Sequence, residues 1–131
     1  MKTILIVDDS ETVLMMHQML MADATRYRLL LGHDGEEAIE LAVRHRPDLI
    51  LMDVQMPVMD GFEAVRRIRE YAALKATPII MVTTLDQALS ALEGYAAGCT
   101  DYIVKPFDRT VLAEKLDRHL NVSTAVKPGE Q

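Results

Sequence analysis

Four apolar segments of the sequence each end directly before polar side chains that can bind a metal ion or a phosphoryl group. The segments and the residues that follow them are Ile4–Val7 before Asp8 and Asp9, Leu49–Met52 before Asp53, Ile79–Val82 before Thr83, and Tyr102–Val104 before Lys105. Short apolar runs without alternation are typical of strands buried on both faces of a parallel sheet. In open α/β sheets, ligands bind at the carboxyl ends of the strands. The sequence therefore predicts one polar site where these strand ends meet.

Asp53 is the central candidate of this site. Pro57 and Gly61 follow it and break the chain into a loop. A carboxylate just past a buried strand is poorly solvated unless another group pairs with it. Taken alone, Asp53 is also compatible with a solvated residue that opens a turn, but the three other strand ends favour a functional role.

The composition excludes several classes of protein. The chain has 131 residues, of which 50% are hydrophobic and 26% charged, and this suits one globular domain. Its net charge of −6 disfavours direct nucleic-acid binding and gives no attraction to an anionic membrane. Cys99 is the one cysteine, and neither a signal pattern nor an apolar run of membrane-spanning length is visible. We therefore expect a cytoplasmic domain.

Helical patterns alternate with the strands along the chain. Strands are predicted at Met1–Val7, Tyr27–Leu31, Leu49–Met52, after Pro78 and at Tyr102–Val104, and helices at Glu11–Ala22, at Glu36–His45, after Asp60, at Gln87–Ala97 and after Asp108. The predicted N-caps are Ser10, Asp60 and Asp108, Gly98 is a predicted C-cap, and the second helix buries a stripe of Ala38, Ile39, Ala42 and Val43. Five such repeats predict a parallel sheet with helices on both faces and right-handed crossovers. We divide the chain into a domain over residues 1–121 and a flexible tail over 122–131.

Several motifs of the chain, in this order and spacing, resemble the receiver domain of response regulators, the phosphorylation-switched module of two-component signalling. They are Ile-Val-Asp-Asp-Ser at 6–10, His-Asp-Gly-Glu-Glu-Ala at 33–38, Met-Asp-Val-Gln-Met-Pro-Val-Met-Asp-Gly at 52–61, Thr83, and Gly-Cys-Thr-Asp-Tyr-Ile-Val-Lys-Pro-Phe at 98–107. The resemblance covers residues 1–121. Within the family, the chain looks like a stand-alone, chemotaxis-type receiver. It implies a flavodoxin-like α/β fold, doubly wound, with a five-stranded parallel sheet in the order 2-1-3-4-5.

The resemblance makes Asp53 the phosphoacceptor, a nucleophile that takes a phosphoryl group from a phosphohistidine of a sensor histidine kinase or a histidine phosphotransfer domain. Three neighbouring carboxylates cannot all stay ionised without a cation, and Mg²⁺ (or Mn²⁺) is the natural partner of such oxygen ligands. By resemblance, Asp9, Asp53 and the backbone carbonyl of Gln55 bind the ion directly, and Asp8 binds it through water. The alternative for Asp8 and Asp9 is a loop acid pair that caps a helix.

The resemblance also assigns Lys105, Thr83 and Tyr102. Lys105, beside a cis peptide bond to Pro106, pairs with the phosphoryl oxygens, and Thr83 donates a hydrogen bond to one of them. Tyr102 is the switch aromatic, which moves with Thr83 and reshapes the face formed by the fourth helix, the fifth strand and the fifth helix. Without these roles, Lys105 would be an ordinary surface lysine, Thr83 a locally hydrogen-bonded threonine and Tyr102 a tyrosine that only packs at the edge of the sheet.

Three residues depart from the common pattern of the family. Thr84 stands where a small residue is usual, and it is expected to narrow access for phosphoryl donors or to change the switch. Leu85, with Gln55, flanks the path of the hydrolytic water, and an apolar side chain there predicts slow to moderate self-dephosphorylation. Cys99 replaces a commoner alanine and is interpreted as a small core residue.

The first helix carries an excess of apolar residues, among them Val13–Met16 and Met19–Met21. The first interpretation is that its methionines fill the core, although at least one of Val13–Met16 must face solvent. The second is a docking surface for the kinase or phosphotransfer domain, with Leu14, Met15 and Pro106 as its candidates. Replacing Leu14 or Met15 by Glu should then slow transfer from a protein donor but not from a small-molecule donor.

Three rival functions are weaker. A Mg²⁺-dependent phosphohydrolase with an aspartate nucleophile needs a second acid two residues after it, where this chain has Gln55. A flavin-binding module needs a phosphate-cradling loop, where Asp8 and Asp9 would repel the phosphate. A degenerate receiver that only binds proteins is disfavoured because the key residues are present. We therefore expect a signalling domain, not an enzyme.

The sequence is compatible with two ways in which this domain could pass on its signal. No output domain follows residue 121, so the chain is either a stand-alone receiver that binds a partner or the receiver part of a longer regulator. A monomer and a phosphorylation-dependent dimer are both compatible with the sequence.

Overall fold

In the part of the chain that the structure describes, strands and helices occur in the predicted order. The computed structural model describes residues 1–21, 26–84, 95 and 97–120. The strands are β1 (Lys2–Val7), β2 (Tyr27–Gly32), β3 (Leu49–Asp53), β4 (Ile79–Thr84) and β5 (Asp101–Lys105). The helices that these residues form are α1 (Glu11–Leu20), α2 (Gly35–His45), α3 (Gly61–Ile68), a short 3-10 helix (Ala72–Leu74) and α4 (Arg109–Leu120).

The five strands form one parallel sheet in the order β2-β1-β3-β4-β5. β3 lies at its centre and all five of its residues are buried. Burial on both faces explains the apolar run without alternation in its sequence. The doubly wound, flavodoxin-like fold predicted from the sequence is therefore confirmed.

Alternate strand residues supply two separate cores, one on each face of the sheet. The core against α2 and α3 contains Leu5, Val7, Ile50, Met52, Ile79 and Met81 from the strands. The core against α1 and α4 contains Ile4, Ile6, Leu49, Leu51, Ile80, Val82 and Ile103 from the strands. Because side chains alternate across a strand, this division fixes the face toward which each residue at a strand end points.

The predicted helix N-caps are present. Ser10 Oγ accepts from the Val13 amide at 3.2 Å, Asp60 Oδ1 from the Glu63 amide at 2.9 Å, and Asp108 Oδ1 from the Val111 amide at 3.0 Å. Asp34 caps α2 in the same way, because its Oδ1 accepts a hydrogen bond from the Glu37 amide at 2.7 Å. These caps fix where each helix begins, directly after the loop that follows its strand.

Some predictions from the sequence need correction or stay outside the described residues. In the predicted stripe of α2, Ala38 and Ala42 are buried, but Val43 is exposed because it lies at the edge of the stripe. The helix predicted at Gln87–Ala97 and the tail at 122–131 fall largely or wholly outside the described residues. In the part of the chain that the structure describes, no helix is long and apolar enough to cross a membrane.

The methionines of α1 face solvent rather than the core. Met15, Met16 and Met19 are 61%, 54% and 67% exposed, so the interpretation that they fill the core is wrong for these three residues. Leu14 is fully buried and belongs to the core between α1 and the sheet. The prediction of Leu14 as a docking residue is therefore wrong, because its side chain cannot contact a partner without unfolding the helix.

Candidate functional site

Three carboxylates converge at the carboxyl edge of the central strands. Asp8 follows β1, and Asp53 is the last residue of β3, which lies next to β1 in the sheet. Asp8, Asp9 and Asp53 each offer an oxygen, and these oxygens all lie within 4.8 Å of one another. Asp8 and Asp53 are buried whereas Asp9 is exposed, so the cluster opens to solvent on one side. The ends of β1 and β3 therefore meet, as predicted from the sequence.

Lys105 brings a positive charge to the same point. It ends β5 opposite Thr84 of β4, and its Nζ lies 3.1 Å from Asp53 Oδ1 and 3.8 Å from Asp8 Oδ2. Its peptide bond to Pro106 is cis, as the family resemblance implies, and Pro106 is exposed. Among the described residues, one lysine thus faces two of the three carboxylates, so negative charge exceeds positive charge in this cluster.

The excess of negative charge and the burial change the acidity of the cluster. Burial and, to a smaller extent, the neighbouring Asp8 raise the pKa of Asp53 to about 6, although the charge of Lys105 opposes both effects. Burial also raises the pKa of Asp8, against the hydrogen bond from the Ser10 amide. Both carboxyls are therefore held in a site that disfavours their ionised forms and that a cation would relieve.

The residues present fit a hard divalent cation. Asp8 Oδ2 is buried and has no hydrogen-bond partner among the described residues, although Lys105 Nζ lies near it. Carboxylate oxygens are the ligands that Mg²⁺ prefers, and the ion retains several waters, which the exposed side of the cluster provides. Gln55 is exposed and lines the same cleft, which encloses about 770 Å³.

The loop after Asp53 packs closely beneath the site. The Gly61 amide donates to the Val54 carbonyl at 2.8 Å, and a Cβ at Gly61 would collide with the backbone carbonyl of Asp53 and lie 2.8 Å from Met81 Cε. Only glycine therefore allows α3 to begin this near to β3. The Pro57–Gly61 loop, predicted from its turn residues, holds the backbone of Asp53 in place.

Thr83 and Thr84 occupy different positions at the end of β4. Thr83 is buried, and its hydroxyl donates to the Thr84 carbonyl at 3.3 Å. Thr84 is exposed and lines the cleft beside Lys105. The larger side chain that departs from the family pattern therefore forms part of the cleft wall, while Leu85 lies outside the described residues.

Tyr102 lies in β5 opposite Met81 of β4, and its partly buried ring packs against the core on the α2 and α3 side of the sheet. Cys99 belongs to the same core, which agrees with its interpretation as a small core residue.

His17 was not among the site residues predicted from the sequence. It lies on α1, is buried, and its ring is 5.4 Å from that of Phe107, two residues after Lys105. Burial, together with a smaller effect of the Lys105 charge, lowers the pKa of His17 to about 4. The helix therefore presents a neutral imidazole toward the loop that follows Lys105. No pattern in the apolar run of α1 distinguishes this buried polar residue from an exposed one.

Comparison with known proteins decides the family. The family model described as the response regulator receiver domain matches residues 4–117, which is most of the chain. The chain belongs to the response regulator receiver domain family. Receiver domains are signalling modules rather than classical enzymes.

The similar receivers include proteins of nearly the same length. Protein PilH of Pseudomonas aeruginosa is 37% identical over 117 residues, which are 89% of this chain and 96% of PilH. The solved structure of the chemotaxis response regulator CheY4 of Vibrio cholerae is 41% identical, with a TM-score of 0.84 over 92% of this chain and 99% of that one. Other similar curated proteins are longer, and this receiver spans between 24% and 53% of their lengths.

One similar receiver contains a metal ion. The receiver domain of the sensor histidine kinase PA1611 of Pseudomonas aeruginosa was solved with a magnesium ion coordinated in its active-site cleft. It is 34% identical, with a TM-score of 0.83 over 92% of this chain and 98% of that one. The present receiver also has an acidic cluster, formed by Asp8, Asp9 and Asp53.

Proposed function

We propose that this receiver accepts a phosphoryl group on Asp53 from a phosphohistidine, with Mg²⁺ bound beside it, and that the modification changes a surface that regulates a partner protein. The observation that supports this most strongly is the cluster itself. A buried nucleophilic carboxylate lies within 4.8 Å of oxygens from two further acids and 3.1 Å from the Lys105 ammonium. That combination provides a nucleophile, a cation site and a counter-charge for the incoming group.

In this proposal, Asp9, Asp53 and the Gln55 backbone carbonyl hold the ion directly and Asp8 holds it through water, with Mn²⁺ as an acceptable substitute. The bound ion supplies positive charge that offsets the charge of the phosphoryl group during transfer. Asp8 Oδ2 is buried, accepts no hydrogen bond from the described residues and has the Lys105 ammonium 3.8 Å away, and this supports its part in the set, because a buried carboxylate oxygen is costly when it is poorly satisfied.

Lys105 and Thr83 have complementary roles in the proposal. Lys105 moves from Asp53 Oδ1 to the new phosphoryl oxygens, which carry more charge than the carboxylate does. Thr83 turns its hydroxyl away from the Thr84 carbonyl and donates to another phosphoryl oxygen. The movement of Thr83 then frees space for Tyr102 on the same face of the sheet, where the partner surface changes.

The phosphoryl donor is a sensor histidine kinase or a histidine phosphotransfer domain, and we propose that the reaction is cytoplasmic. The high coverage of PilH and CheY4 supports a stand-alone receiver that binds its partner directly as a monomer or a phosphorylation-dependent dimer, whereas the longer relatives support a receiver with an attached output domain. A phosphohydrolase activity is disfavoured because Gln55, two residues after the nucleophile, cannot transfer protons.

Intact-mass measurement after incubation with acetyl phosphate and Mg²⁺ tests the acceptor and the metal together. We expect the wild type to gain one phosphoryl group, the gain to disappear when the metal is chelated, and Asp53→Asn to gain none. Asp60→Asn is the matched control, because Asp60 lines the same cleft but is exposed.

Equal modification of Asp53→Asn, or modification that survives chelation, would contradict the proposal. If acetyl phosphate does not phosphorylate the protein but a phosphohistidine donor does, we attribute the difference to the access of acetyl phosphate to Asp53 past Thr84. Thr84→Ala should then restore the reaction with acetyl phosphate. Failure of both donors would contradict the proposal.

A further inference from the structure

Tyr95 contacts the ring of Tyr102, although no motif in the sequence draws attention to it. The two ring centroids are 6.3 Å apart with an interplanar angle of 77°, which is an edge-to-face pair. Tyr95 is 44% exposed, whereas Tyr102 is partly buried against the core. The pair therefore connects an interior ring to the protein surface, and such aromatic pairs are attractive beyond the area that they bury.

The backbone of Tyr102 is fixed by a group of charged residues. Its amide donates to Asp101 Oδ1 at 2.8 Å. The other carboxylate oxygen, Asp101 Oδ2, pairs with Lys115 Nζ at 2.9 Å and with His119 Nε2 at 3.0 Å, both from α4. Because the start of β5 is held to α4 in this way, rotation of the side chain is the easiest movement open to Tyr102.

The backbone of Tyr95 is fixed independently. Its carbonyl accepts from the Gly98 amide at 3.0 Å, in a turn where Gly98 has a φ of 116°, a conformation that favours glycine. The Gly98 carbonyl accepts from Arg69 Nε at 2.8 Å, and Arg69 Nη1 also donates to the Leu74 carbonyl at 2.6 Å. Tyr95 is thus presented to Tyr102 from a turn that α3 holds in place.

The strand register links this pair to the end of β4. Tyr102 lies opposite Met81, and Thr83 follows Met81 by two residues on the same strand. Side chains two residues apart share a face of the sheet, so Thr83, Met81 and Tyr102 lie on one face. A movement of Thr83 therefore affects the packing of Tyr102 first and that of the Tyr95 ring next.

We propose that Tyr95 is a positioning residue of the switch: its ring holds Tyr102 in the arrangement seen here, and phosphorylation of Asp53 separates the two rings. This inference rests on the proposed function and adds a residue to it. The two tyrosines, rather than Tyr102 alone, then carry the change from the acceptor site to the surface. Loss of the Tyr95 ring favours the rearranged position of Tyr102 before any phosphoryl group is bound.

Fluorine NMR of the full chain labelled with fluorotyrosine tests this, because the protein has only four tyrosines. Single Tyr→Phe variants assign the four signals. On incubation with acetyl phosphate and Mg²⁺, we expect the signals of Tyr95 and Tyr102 to move together while those of Tyr27 and Tyr71 stay in place. Intact mass of the same sample reports whether the phosphoryl group is present.

Three variants separate positioning from a general structural effect. Tyr95→Ala should raise the fraction of rearranged Tyr102 in the unmodified protein roughly twofold to twelvefold, the range that an edge-to-face pair provides. Tyr95→Phe keeps the ring and should restore the wild-type behaviour. Tyr71→Ala is the matched control, since Tyr71 is 45% exposed and Tyr95 is 44% exposed. All three should gain the phosphoryl group to the same extent as the wild type.

Two results would overturn the inference while the proposed function stands. One is a phosphorylated wild type in which Tyr102 moves and Tyr95 does not. The other is a Tyr95→Ala variant whose Tyr102 signal matches that of the wild type in both states. If the wild type gains no phosphoryl group from either acetyl phosphate or a phosphohistidine donor, the proposed function fails, and this inference fails with it.

Discussion

Asp53 combines two properties at the scale of a single residue: it is buried, and it lies beside another buried acid. The first property could be predicted from the sequence, because an apolar run without alternation precedes it. The proximity of Asp8 followed from the parallel sheet, in which neighbouring strands end together. The pairing with Lys105 could not be read from the sequence alone, because it depends on the direction of a long side chain.

Replacing Asp53 by Asn should stabilise the metal-free protein. The pKa of Asp53 in the folded protein is raised from 3.8 to about 6, so ionisation is harder in the folded state than in the unfolded one. Proton binding by Asp53 therefore contributes fully to the free energy of unfolding below pH 4, and this contribution is lost as the pH rises through 6. At pH 7 the ionised Asp53 costs up to about 3 kcal/mol, which Asp53→Asn removes.

Urea unfolding of the wild type and Asp53→Asn between pH 4 and pH 8, without metal, measures this difference. We expect the stability advantage of the variant to grow with pH and to shrink when Mg²⁺ is added, because the ion binds more tightly to the wild type, which keeps all of its proposed ligands. An Asp53→Asn variant that is less stable than the wild type at pH 7 would show that Lys105 outweighs the effects of burial and Asp8.

At the scale of the element, α1 shows where the sequence was insufficient. Its existence and its N-cap Ser10 were predicted, but four successive apolar residues surround the helix axis and give no stripe from which to read its orientation. Packing against the sheet selects Leu14 and His17 for the interior. Met15 is left in solvent, one residue away from Leu14, so one of the two docking candidates on α1 was wrong.

Met15→Glu tests whether this exposed face is a docking surface. We expect the rate of phosphoryl transfer from a phosphohistidine protein to fall roughly tenfold or more, since a charge replaces an apolar contact at an interface. The rate with acetyl phosphate should not change, because Met15 does not line the cleft. Val43→Glu, an exposed apolar position on α2, serves as the control. An equal loss with both donors would instead indicate a folding defect.

At the scale of the whole molecule, the strand order and the site at the carboxyl edge follow from the repeated strand–helix pattern. Contacts between distant segments do not follow from it. Arg69 binds the carbonyls of Leu74 and Gly98, and Asp101 binds Lys115 and His119, yet each of these residues resembles an ordinary surface charge in the sequence. Both groups bind backbone beside the Tyr95–Tyr102 contact, so the family resemblance could imply the switch aromatic but not its neighbour.

Chemical location of the phosphoryl group tests the proposed function most directly. Borohydride reduces an aspartyl phosphate to homoserine, which peptide mass mapping places at one position of the chain. After transfer from a phosphohistidine donor in the presence of Mg²⁺, we expect homoserine at position 53 and at no other aspartate. Homoserine at position 8 or 9, or a phosphoryl group that borohydride does not remove, would contradict the assignment of Asp53 as the acceptor.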